Sequence, residues 1–185
     1  VLGPSALRAA ILPPAGEALT LHVDTTSGAL YFTGVPGSNM SFYQITSASQ
    51  SLDDDAWNSL QDQSILNPHG TITTAEPGQI VDWMEMAHNN GILQDMACAN
   101  MMPGMNGLPV IFDTAERTYS IGAAFQVQGS TDLGFLYNVD LDYTPDYLGT
   151  VVYETPEPAS LAMVGGGAVL LVLRRRRVTL CFESP

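Results

Sequence analysis

The chain has 185 residues, 19 acidic against 6 basic, and a 45% hydrophobic fraction with aromatics spread throughout, which excludes a disordered polar segment. It contains no lysine, and four of its six arginines are adjacent, at Arg174, Arg175, Arg176 and Arg177. The remainder is therefore even more acidic than the net charge of −13 suggests, which repels phosphate backbones and argues against nucleic acid as a partner.

Residues 1–18 carry one basic residue, Arg8, then Ala9–Leu12 and Pro13-Pro14. An export signal needs an apolar region of about 7–15 residues, so this segment reads as the remnant of one, truncated or processed. Leu19, Leu21 and Val23 alternate with Thr20 and His22, and a turn cluster, Asp24–Gly28, leads to Ala29–Thr33. This pattern predicts a β-hairpin at the edge of a β domain, with His22 on the solvent side. Gly34–Asn39 is a loop, and Ser41–Ser47 a third strand.

Ser51–Leu60 breaks the alternation. Asp53 is placed to cap a short helical turn, with Ala56, Trp57 and Leu60 at helical spacing and Trp57 packing on the sheet. Asp53, Asp54 and Asp55 lack the glycine-bearing loop of a calcium site.

Ile65–Pro109 is the least regular stretch and reads as an insert in which a site could lie. Ile80–Ala87 is compatible with strand or helix. His88, Met96, Cys98, Met101, Met102 and Met105 are soft ligands suited to Cu(I), but methionines of this kind also fill cores. Cys98 and Cys181 define no disulfide framework, and Cys98 reads as a small buried hydrophobe.

The strand pattern returns at Thr118–Phe125, Gln126–Gln128, Leu133–Val139 and Gly149–Tyr153. Asp140, Asp142 and Asp146 stand near Asn138 with no basic partner, so they suit either a calcium ion or a solvated rim. Trp57, Trp83, Tyr143 and Tyr147 are the aromatics that would stack on a polysaccharide if exposed on one face. His22, His69 and His88 form no His-Glu-x-x-His pair, and no Gly-x-Ser-x-Gly elbow is present, so no catalytic residue or cofactor is assigned.

The last stretch directs the reading of the whole. Pro156 and Pro158 flank Glu157, remove donors and bar a helix from running back into the domain. Ala159–Leu173 is uncharged, and as a helix it would span roughly 22 Å, short of a hydrocarbon core of about 30 Å. Arg174–Arg177 can snorkel to the interface and place themselves on the cytoplasmic side, which leaves the preceding domain outside. A buried core helix is the alternative, disfavoured by Gly165–Gly167 and by four adjacent arginines.

Pro156-Glu157-Pro158, the apolar run and the arginines, in that order, resemble the PEP-CTERM sorting tail recognised by bacterial exosortases. The resemblance implies an exported protein, transiently membrane-anchored through a C-terminal hydrophobic helix and then released to the surface or matrix. Residues 178–185 extend past the arginines further than such tails usually do.

Leu19–Leu30, Tyr43–Leu52 and Ala56–Gln63 are in turn similar to a module of bacterial surface proteins with PEP-CTERM or dockerin tails. Tyr119–Phe125, Asp132–Tyr137 and Gly149–Tyr153 continue that similarity, which implies a β-sandwich and no activity. The expectation is thus an all-β, jelly-roll-like antiparallel β-sandwich plus one C-terminal hydrophobic helix. Its parts are a segment 1–18, an exterior domain 19–154 with the insert 65–109, a tail 155–177 and a cytoplasmic overhang 178–185.

Overall fold

Where apolar and polar residues alternate, the chain forms strands that bury one face. The computed structural model describes residues 10–14, 18–66, 75–99, 104–141, 144 and 146–155. Among these residues are eleven strands: β1 Leu19–Asp24, β2 Leu30–Gly34, β3 Asn39–Met40, β4 Phe42–Ser47, β5 Trp83–Asn89, β6 Ile92–Ala97, β7 Val110–Ile111, β8 Thr118–Ser120, β9 Leu133–Asn138, β10 Tyr147–Leu148 and β11 Thr150–Glu154. No helix occurs among the described residues, and the apolar run at 161–173 lies outside them.

The strands form a five-stranded sheet in the order β10-β9-β4-β6-β5, a four-stranded sheet in the order β11-β1-β2-β8, and the small pair β3-β7. The fold is sandwich-like. Leu21 and Phe32 from the four-stranded sheet, and Tyr43, Ile45 and Tyr137 from the five-stranded one, are fully buried in one core. The Phe32 ring lies 4.9 Å from Tyr43 and 5.3 Å from Phe135, joining the two sheets.

Four expectations change. The hairpin β1-β2 is present, with Leu21 opposite Phe32, but it occupies the middle of its sheet rather than an edge. β1 and β11 run parallel, Leu21 opposite Val151, so the sandwich is not wholly antiparallel. Asp53 caps no helix: Asn58 donates its N–H to the Ile121 carbonyl, and the Trp57 indole donates to Tyr43 Oη at 3.1 Å, so cross-chain bonds replace helical ones. Gln126–Gln128 is a turn, with Gln128 at φ 72°, and the strand from Thr118 stops at Ser120 ahead of Gly122 at φ 84°.

The stretch 65–109 supplies β5 and β6. β6 pairs directly with β4, Ile45 opposite Leu93, so this stretch builds the edge of the five-stranded sheet. A bulge between Glu85 and Ala87 shifts the register of β5, which explains the weak alternation there.

Candidate functional site

β11 ends at Glu154, at the boundary between the two units Val1–Glu154 and Thr155–Pro185. Because β1 is flanked by β11 and β2, the outward residues of three strands come together on one face. His22 stands opposite Tyr31 on β2 and Val152 on β11, while Asp24 stands opposite Glu154. His22 and Tyr31 stack with ring centroids 4.6 Å apart and planes 4° from parallel.

Thr33 Oγ1 lies 2.9 Å from His22 Nε2, and His22 Nδ1 lies 2.6 Å from Glu154 Oε1. The consistent arrangement has Thr33 donating to Nε2 and Nδ1–H donating to the carboxylate. The Tyr31 hydroxyl donates to both carboxylate oxygens at 3.0 Å. Burial, then the bond to Glu154 and its charge, hold the Tyr31 phenol above its ordinary range. From the β1-β2 turn, the Thr25 N–H and hydroxyl donate to the Glu154 carbonyl at 3.0 and 3.1 Å. The turn itself is organised by Asp24, which accepts from the Ser27 and Thr26 hydroxyls at 2.6 Å each and is thereby held well below the usual carboxylate range.

A second polar cluster lies in the core. Asp95 on β6 is fully buried beside Tyr43. It accepts N–H bonds from Gln61 at 3.2 Å and from Met96 at 3.1 Å, yet burial pushes its carboxyl up to about 7. Glu85, opposite it on β5, accepts from the Ser59 hydroxyl at 2.7 Å. Asp95 is enclosed and Glu85 half-buried, and together they tie the 59–61 turn to the β5-β6 hairpin.

Of the aromatics expected to hold sugar, Trp57, Trp83 and Tyr147 are buried, at 8%, 3% and 8% exposure, and Tyr143 lies outside the described residues. These three belong to the hydrophobic core and do not form an exposed stacking platform among the described residues. Asp140 accepts from the Asn39 amide at 2.8 Å, Asp146 from the Asn138 amide at 3.0 Å, and Asp142 lies outside the described residues. Among the described residues, no three His, Cys, Asp or Glu side chains group to hold a metal ion.

Among the described residues, His88 and Cys98 of the soft-ligand set stand apart. His88 is near the turn end of the β5-β6 hairpin, opposite Leu93, within 3.6 Å of Asp54, whereas buried Cys98 donates its N–H to the Asp82 carbonyl just before β5 begins. At about 3.4 Å per residue, roughly six residues of strand separate them. Met101 and Met102 lie outside the described residues. Burial, then the charges of Asp95 and Asp82, raise the Cys98 thiol and disfavour its thiolate form.

Sequence reading missed two groups. The His22–Glu154 contact joins residues 132 positions apart, and no local pattern announces it. Asp95 did carry a signal, since it shares the inward face of β6 with Leu93 and Ala97.

Among curated proteins and solved structures, none matches the chain. One family model does, the PEP-CTERM protein-sorting motif, and it covers residues 154–177. Pro156, Glu157, Pro158 and Arg174–Arg177 fall inside that match and outside the described residues. The match begins on Glu154, the last residue of β11, so the chain carries a PEP-CTERM sorting motif joined without a spacer to an all-β, sandwich-like domain.

Proposed function

We propose that this is an exported structural protein of the cell surface or extracellular matrix, without catalytic activity, delivered by exosortase acting on its tail. The sorting motif implies export and exosortase handling, and it is the single observation that carries this reading. The chain's acidic composition and small fold suit cargo: Asp95 is fully buried, and the buried tryptophans offer no platform to sugar. The membrane run and arginine stop would hold the protein transiently until its tail is removed.

The test places the chain behind an export signal in a host with its exosortase, beside a variant with Pro156, Glu157 and Pro158 all changed to Ala. The unaltered chain is expected at the surface or in the medium, and the variant in the membrane fraction. Equal distribution of the two would remove the proposal.

A further inference from the structure

Among the described residues β11 is an edge strand, paired with β1, and its last residue opens the sorting motif. The ends of edge strands ordinarily fray at little cost. Here the terminal residue is bound on both its side chain and its carbonyl. The side chain takes His22 Nδ1–H at 2.6 Å and the Tyr31 hydroxyl at 3.0 Å, and the carbonyl takes the Thr25 N–H at 3.0 Å and its hydroxyl at 3.1 Å. Thr33 fixes the His22 ring from behind, and the stack on Tyr31 keeps both donors aimed at the same carboxylate. Hydrogen bonds to a charged acceptor are the stronger kind, and two converge on this one.

An enzyme that processes a chain binds its substrate as an extended segment, with main-chain bonds of its own. The residues before Pro156 that would enter such a cleft, Val152–Glu154, already spend their extended backbone on β1. With no spacer between Glu154 and Thr155-Pro156, they must leave the sheet to be read from that side.

We infer that His22, Tyr31 and Thr25 form a lock on the end of β11 that governs how readily the segment before the sorting motif is drawn out of the sheet for processing. The inference rests on the sorting reading above. The lock couples processing to the state of the fold: an intact domain presents its tail slowly, and a loosened one quickly.

The test uses the chain behind an export signal, with Tyr31→Phe, which keeps the ring stack and removes the hydroxyl, and His22→Ala. A further form carries a six-residue Gly-Ser insert between Glu154 and Thr155. Amide hydrogen exchange is followed on the peptide spanning β11, and tail removal by pulse–chase in the exosortase host. Both variants are expected to exchange about tenfold faster in β11 with β9 unchanged, and to lose the tail correspondingly faster. The insert is expected to abolish the difference between the variants and the unaltered chain.

Unchanged exchange in β11 would overturn the lock, and so would faster exchange with unchanged processing. A tail never removed from the unaltered chain would overturn the sorting reading itself, and the lock's role in processing with it.

Discussion

Asp95 shows how one buried carboxyl can make the whole fold sensitive to pH. Burial holds it at about 7, above the ordinary 3.8, even though N–H groups of Gln61, Leu60 and Met96 favour its charged form. Between these two values the folded chain keeps a proton that the unfolded chain has released. The associated stability is therefore complete below about pH 4 and lost as pH rises through about 7, on the order of 4 kcal/mol in all. Asp24 and Asp113, held low by their hydroxyl and Arg117 partners, are ionised in both states above pH 5 and leave that window clear. Urea unfolding is expected to give a more stable protein at pH 5 than at pH 8. Asp95→Asn should flatten the dependence, because its amide neither ionises nor loses the contact with Tyr43. An unchanged slope in the variant would place the effect on another group.

At the scale of elements, the turns that let strands meet are as constrained as the core. Gly107 lies against the bond from the Cys98 N–H to the Asp82 carbonyl, and a Cβ there would run into both groups. Gly107→Ala is expected to cost about 2 kcal/mol or more and to lower the thermal midpoint by roughly 6 °C or more. A midpoint within a degree of the unaltered chain would mean that the 98–107 connection simply shifts aside.

The same scale explains what could be read from the sequence. β1, β2, β4 and β9 were legible because their inward residues alternate without interruption, as in the Leu19, Leu21 and Val23 series. β5 was ambiguous because its bulge displaces the alternation, leaving Met84 half-buried and Met86 exposed. β10 has two residues, too few to carry a period. The Asp53 turn had helical spacing, but Trp57 and Asn58 found better partners across the chain in Tyr43 and Ile121. The parallel meeting of β1 and β11, and with it the Glu154 lock, depends on closing a loop of more than a hundred residues, which no window of sequence contains.

For the whole molecule, an acidic, sandwich-like body continues directly into a sorting motif that begins on its last strand residue. The body supplies a buried core, and the address lies in the tail. The central claim is that exosortase acts on that tail, and the intact mass of the protein recovered from hosts with and without exosortase tests it most directly. The account predicts a chain shortened within or near the motif at 154–177 only where exosortase is present, and a full-length, membrane-retained chain where it is absent. The same full-length mass from both hosts would contradict it.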